Sequence, residues 1–328
     1  MLSVVRSRRV ARLLEVAGLV GLVAVLATGC SVSELVAFGW PEGVTEQAEQ
    51  MRTLWTWSVI ASLVVGVTVW ALILWPVAFH RRRTDELPRQ FQYNLPLEIV
   101  YTALPIVIVT GLFYFTVTTQ NFVQDEVEDP DVRVRVVGFQ WNWEFQYLQD
   151  EAGSDGQFDP LQTEVGTPVS TVGSSNTIPI LVVPTDRVVE YHVESKDVIH
   201  SFFVPDFLFK RDVFPQPEKN DSDNVFQTTV EEEGAFVGRC AELCGTYHST
   251  MNFELRALPV DLFERYLDLK AQTNPVTQQP YTTADALSEL GCGELCTPQA
   301  VTTRPLDTTR GEGARGGRES GGQSEVTP

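Results

Sequence analysis

The sequence has 328 residues, 43% of them hydrophobic, with 24 Lys and Arg against 43 Asp and Glu, a net charge of -19. That length holds one or two domains with extensions, and the negative charge excludes a nucleic-acid partner, whose phosphates demand a basic face. It permits a basic protein partner drawn in by long-range attraction.

The apolar residues are unevenly spread, with three apolar stretches before residue 120 and a polar, acidic remainder. Residues 1–29 read as a bacterial secretory signal. Arg6, Arg8, Arg9 and Arg12 form a basic start, and Leu13 to Leu26 form an apolar run broken only by Glu15. Small residues then lead directly into a cysteine, Leu26-Ala27-Thr28-Gly29-Cys30. That ending resembles a bacterial lipobox, which implies a mature N-terminus at Cys30 carrying lipid. Residues 30–50 would then be an extracytoplasmic segment.

Leu54 to Phe79 carries no charge and is long enough to span a bilayer with tilt. Trp55, Trp57, Trp70 and Trp75 cluster toward its ends as interface anchors. His80-Arg81-Arg82-Arg83 follows at once, which puts that end in the cytoplasm. A second span runs from Leu95 to about Val117, with Pro96 at its start and Pro105 predicting a kink. Residues 51–120 thus read as a two-helix transmembrane hairpin, a multi-pass anchor in the plasma membrane with both flanks outside. Glu98 lies in the first turn of the second span. A carboxylate there is a functional candidate, and equally a first-turn acid favoured by the helix dipole.

Residues 121–270 read as an extracytoplasmic β domain. Val132, Val134 and Val136 alternate with Arg133 and Arg135. In Gly138 to Tyr147 the same period continues. It puts Phe139, Trp141, Trp143, Phe145 and Tyr147 on one strand face, mostly as core, with one or two left at the surface to receive electrons. Residues 149–177 are rich in Gly, Ser, Thr, Asp and Gln and read as a long polar loop or insertion. Strands are predicted at Ile178–Val183, Val188–Glu194, Val198–Val204, Phe226–Val230, Ala235–Arg239 and Met251–Ala257, giving a sandwich or barrel. A helix is predicted over Leu262–Ala271. Residues 271–328 form a C-terminal extension, disordered beyond 300.

The five cysteines, Cys30, Cys240, Cys244, Cys292 and Cys296, do not make a disulfide framework. Cys292 and Cys296 are expected to pair locally. Cys240-Ala241-Glu242-Leu243-Cys244-Gly245-Thr246-Tyr247-His248-Ser249-Thr250-Met251 sets thiol, imidazole and thioether within twelve residues. Soft sulfur with histidine suits copper or zinc, and the thioether favours copper. Two thiolates can bridge two metals, provided each metal finds outer ligands. His248 and Met251 supply two. Of the other histidines, His80 is on the cytoplasmic side, His192 sits mid-strand and reads as structural, and His200 enters a turn. The Glu242 carbonyl, held between the cysteines, is a candidate for the last contact.

The Cys-x3-Cys-x3-His-x2-Met run resembles the copper signature of cytochrome c oxidase subunit II, the haem–copper terminal oxidase family. Asp197 to Pro205 resembles that family's upstream histidine motif, and Gly138 to Tyr147 its aromatic strand. Pro96-Leu97-Glu98-Ile99 with Leu104-Pro105 resembles its second transmembrane helix. The resemblance covers about residues 51–270 and implies a cupredoxin-like β-barrel behind the helix hairpin. It implies a binuclear copper centre, CuA, in which Cys240 and Cys244 bridge, His200 and Met251 complete one copper, and His248 and the Glu242 carbonyl complete the other. It also implies magnesium shared with subunit I through Glu242, electron uptake through Trp141, and Glu98 at the mouth of a proton channel. The implied function is transfer from cytochrome c to the haem of subunit I, where oxygen is reduced with proton pumping. Subunits I and III are the implied partners.

Lys196 departs from the family, which often carries an acid there, and Pro215–Asn224 reads as a second insertion. The 149–177 loop and Pro215–Asn224, together with the lipobox and the Arg-Gly tail, resemble actinobacterial versions. In some of those the donor is a cytochrome c domain of a bc1-type complex fixed in a supercomplex.

Overall fold

The computed structural model describes residue 18 and residues 40–81, 87, 90–153, 157–220 and 223–302. Apart from residue 18, the signal segment, Cys30 and the tail beyond 302 lie outside the described residues, as do Arg82 and Arg83.

Helix α1 spans Glu46–Phe79 and helix α2 spans Leu95–Val123. Both are long and apolar enough to cross a membrane, and neither apolar stretch is covered by the chain itself. Several of their hydroxyl side chains are satisfied within the helix itself, as suits a lipid environment. Ser62, Thr68, Thr110 and Thr116 each donate to the carbonyl four residues back, at 2.7 to 2.8 Å. Helix α1 begins eight residues before the apolar run, in a charged turn that belongs to the β domain. Val44 N–H donates to the Asp206 carbonyl at 3.0 Å, Glu231 N–H donates to the Val44 carbonyl at 2.9 Å, and Ala48 is buried. Helix α2 opens on reciprocal caps. Asn94 Oδ1 accepts from Leu97 N–H at 3.4 Å, and Glu98 Oε1 accepts from Asn94 N–H at 2.9 Å. Pro96 sits in the first turn, where its missing N–H is not needed. The helix continues through Pro105 as one element.

The β domain follows: β1 (Val132–Phe139), β2 (Asn142–Ala152), β3 (Phe158–Pro160), β4 (Ser170–Val172), β5 (Ile180–Pro184), β6 (Val188–Ser195), β7 (His200–Val204), β8 (Phe209–Val213), β9 (Val225–Thr229), β10 (Gly234–Cys240) and β11 (Asn252–Leu258). One sheet has the order β3-β2-β1-β6-β9 with β4 added on β2, and the other β5-β11-β10-β7-β8. They share one core in a cupredoxin-like barrel, and every strand pair but β1–β6 and β5–β11 is antiparallel. Trp143, Phe202 and Phe253 pack there, with Phe202 and Phe253 stacked at 4.7 Å. Tyr147 crosses from β2 to donate its hydroxyl to the Val182 carbonyl of β5 at 2.7 Å, which satisfies a buried phenol.

Two expectations need correction. Gly138 to Tyr147 is not one strand. The chain reverses at Gln140–Trp141, so Phe139 pairs with Asn142 and Gly138 with Trp143. Trp143, Phe145 and Tyr147 are core, whereas Phe139 and Trp141 are half-buried at the hairpin end. Residues 149–177 are not all loop, since they complete β2 and add β3 and β4 to its edge. Strand β8 was not anticipated, and Pro215–Asn224 holds a single helical turn, Pro217–Asn220.

Helices α3 (Val260–Ala271) and α4 (Thr283–Leu290) lead into a strap over β11. Cys292 and Cys296 form the expected local disulfide within it. Glu254 and Arg256 on β11 are fully buried and paired with each other. Arg256 donates to the carbonyls of Leu295, Thr297 and Gln299. Glu254 Oε2 accepts from Val301 N–H, Thr302 N–H and Thr302 Oγ1–H at 2.7, 2.9 and 2.8 Å. The pair thus binds the strap through its backbone. Arg256→Met strands a buried carboxylate, and losing one member of such a pair costs about 3–5 kcal/mol. A lowered denaturant midpoint for the single variant, partly recovered in Glu254→Met/Arg256→Met, is the expected result.

Candidate metal centre

The centre forms where β10 ends, β11 begins and β7 starts. Strand β10 pairs with β11 up to Arg239↔Asn252 and with β7 at Cys240↔Phe202. Beyond that rung Cys240 N–H donates to the Met251 carbonyl at 3.1 Å, closing the base of the loop. Ala241 N–H donates to the Ser201 carbonyl at 3.1 Å, which ties the loop to the strand bearing His200. A short turn at His248–Thr250 is fixed by His248 N–H on the Gly245 carbonyl. Trp143 supports the base from the core, donating Nε1–H to the Met251 carbonyl at 3.3 Å.

These constraints bring together all six donor groups read from the sequence. Cys240 Sγ and Cys244 Sγ lie 3.8 Å apart, too far for a disulfide. His200 Nδ1 is 3.9 Å from Cys240 Sγ, and the Glu242 carbonyl oxygen is 3.2 Å from it. His248 Nδ1 is 3.6 Å and Met251 Sδ 3.7 Å from Cys244 Sγ. His200 and Met251 are fully buried, and the sulfur atoms nearly so. Two thiols, two imidazoles, a thioether and a carbonyl are a soft donor set suited to copper. The paired sulfurs leave a histidine near each one, so the residues present fit a two-metal centre.

The surroundings orient the ligands. Asp197 Oδ1 meets His200 Nε2 at 2.8 Å, which leaves Nδ1 toward the sulfurs and fixes the ring tautomer for a metal ligand. Burial raises the Asp197 carboxyl, but hydrogen bonds from Gln140 N–H, His200 and Val198 N–H outweigh it and hold the group below its usual range. Gly138 is needed beside that ring, because a Cβ there would lie 3.0 Å from His200 Cδ2. Burial first, and then Cys240, push the Cys244 thiol up to about 12. A metal that binds here must therefore displace the protons itself.

Trp141 lies against this loop. Its Nε1–H donates to the Cys244 carbonyl at 3.0 Å, and Gln140 Nε2–H donates to the same oxygen at 2.8 Å. The indole meets Tyr247 edge-on at 5.0 Å. Gly245, with φ of 117°, leaves the room this contact needs, since a Cβ would sit 3.1 Å from Trp141 Nε1.

Other candidates stand elsewhere. Glu98 is outside the cluster, capping α2. His192 is bound by Glu190 at 2.8 Å, the structural role expected of it. Lys196 is paired with Glu144 at 2.6 Å, so its charge is compensated on the protein itself. Sequence reasoning gave no role to Gln140 or to Trp143 at the base of the loop, and it quoted Asp197 without a function. The spacing Asp197-x2-His200 was a usable signal for the last.

A family model described as cytochrome c oxidase subunit II, periplasmic domain, matches residues 132–258. A probable cytochrome c oxidase subunit 2 of Nocardia farcinica is 47% identical, over 93% of this chain and 91% of that protein. The cytochrome c oxidase subunit 2 of Mycobacterium bovis is 44% identical, over 92% of this chain and 90% of that protein. Among solved structures, the periplasmic domain of subunit II of cytochrome oxidase of Bradyrhizobium japonicum is 28% identical with a TM-score of 0.32, covering 44% of this chain and 95% of that one.

Outer-shell partners of a ligating histidine typically carry about 10–100-fold in metal affinity. Asp197→Ala is therefore expected to lose metal to a chelator at a concentration lower by about that factor, which a chelator titration with metal analysis reads directly.

Proposed function

This chain belongs to the cytochrome c oxidase subunit II family, and on that premise we propose that it takes electrons from cytochrome c at a binuclear copper centre and passes them to the haem of subunit I. Membership makes the chain part of an oxidase assembly, associated with the other oxidase subunits, and its family implies copper. Two apolar helices precede a domain of the family's periplasmic type, so the chain is a membrane protein with its C-terminal domain outside the cytoplasm. The observation that carries the finer reading is the convergence of His200, Cys240, the Glu242 carbonyl, Cys244, His248 and Met251 around one pair of sulfurs.

In this reading Cys240 and Cys244 would hold both coppers, with His200 and Met251 as further ligands of one and His248 and the Glu242 carbonyl as further ligands of the other. A bound copper pair supplies a one-electron couple shared across two thiolates. The protein's own part is to hold the ligands still. Buried ligands, an oriented His200 ring and a loop closed at its base limit rearrangement between oxidation states. Trp141 is the receiving side chain, because its indole N–H reaches the carbonyl of a bridging cysteine. The Glu242 side chain, half-exposed beyond its carbonyl, would hold the magnesium shared with subunit I. Glu98, at the start of α2, would stand at the mouth of the proton channel through which pumping is fed. The reading also includes a multi-pass anchor, a cleaved signal with lipid on Cys30, contact with subunit III, and a donor that is free cytochrome c or a cytochrome c domain of a bc1-type complex in a supercomplex.

Metal analysis and electron paramagnetic resonance of the copper-loaded protein test the centre. Two coppers per chain with hyperfine structure shared by both are expected; zinc, or a single copper per chain, would overturn the reading. For electron uptake, Trp141→Phe keeps an aromatic ring at the position but deletes the N–H to the Cys244 carbonyl. It is expected to retain both coppers while slowing oxidation of reduced cytochrome c about tenfold, roughly 1.4 kcal/mol of barrier, in stopped-flow measurements.

A further inference from the structure

A groove lies elsewhere in the β domain and shares no residue with the sulfur cluster. It holds about 580 Å³ between the 163–180 segment and the C-terminal extension, the two stretches the copper chemistry leaves unused. Its size suits a small-molecule ligand. Hydroxyl side chains make up about half the wall, among them Thr163, Thr167, Ser174 and Thr177. No Asp or Glu lines it, although the chain carries 43 of them against 24 Lys and Arg. The one charged side chain in the wall is Lys270.

Lys270 lies in the last turn of α3 and is only 5% exposed. Its Nζ donates to the carbonyls of Ser170 at 2.9 Å and Tyr281 at 3.1 Å. An ammonium has three donors, and no carboxylate lies within ion-pair range of it among the described residues. The acid acting on it through space, Asp285, is engaged as the cap of α4, accepting from Thr282 Oγ1–H at 2.7 Å. Burial pushes Lys270 down to about 8, the mark of a cation short of counter-charge. The N-cap Thr282 and the first residues of α4, Thr283 and Ala284, form part of the same wall, with the Asp285 carboxylate already set against that helix end.

We propose that this groove binds a small hydroxylated oxyanion of the glycerophosphate type, with Lys270 as counter-ion and the wall hydroxyls as hydrogen-bond partners. The same group occurs free, as in glycerol 3-phosphate, and as the headgroup of phosphatidylglycerol.

The test is saturation-transfer NMR on the purified oxidase complex with glycerol 3-phosphate, using glycerol as the uncharged control. Glycerol 3-phosphate should bind and glycerol should not. Lys270→Met removes the charge, and Thr177→Trp at the exposed rim fills the mouth without touching the core. Each should weaken binding about tenfold or more while copper content and oxidase turnover stay unchanged. Should Lys270→Met fail to fold, Thr177→Trp decides alone. Competition by phosphatidylglycerol vesicles, but not phosphatidylcholine vesicles, assigns the site to a lipid headgroup; absence of competition assigns it to the free anion. No binding of glycerol 3-phosphate, equal binding of glycerol, or binding indifferent to the variants overturns the proposal.

Discussion

Six donor groups reach one point because the end of β10 and the start of β11 do not separate. The ladder that pairs them continues one rung past Arg239, with Cys240 N–H on the Met251 carbonyl. Everything between those residues must then fold over a fixed base, and the short turn at His248 returns the chain toward Cys244. Two buried thiols repel ionisation, as the raised Cys244 pKa shows. The closed backbone holds them 3.8 Å apart. The sixth group comes from β7, and the Ala241–Ser201 hydrogen bond sets its distance. A rigid site of this kind asks little reorganisation of its ligands, which is what electron transfer needs.

The outer face of the same sheet is governed by a different force. Glu254 and Arg256 are out of water entirely, so their charges must be met by protein groups. Backbone carbonyls and amides of residues 295–302 do this. Strand β11 therefore links the two ends of the domain's chemistry. Met251 stands just before it, and the strap lies across it three and five residues later.

Much of the centre was legible because its donors are close in sequence and chemically rare. Cys240, Cys244, His248 and Met251 sit within one loop, so spacing alone suggested their meeting. His200 was found by elimination among four histidines. The hairpin end at Gln140–Trp141 was not legible, since neither residue has a turn preference and the apolar alternation runs through the reversal undisturbed. Strands β3 and β4 were hidden for a related reason: they are short edge strands of polar composition, stabilised by pairing with β2 rather than by burying an apolar face. The strap was invisible because Phe253-Glu254-Leu255-Arg256 reads as a half-exposed strand. What buries its charged half comes from some forty residues further along, with no local signal.

The Cys244 carbonyl accepts from both Gln140 and Trp141. A carbonyl oxygen has two lone pairs, and here both are taken. Solvent arriving at the neighbouring exposed positions, Leu243 and Gly245, finds no acceptor left on that peptide. The hairpin tip thus acts as a seal. Cys244 itself is buried between those two exposed neighbours, and low polarity around a ligand sulfur is one of the levers that set a redox potential.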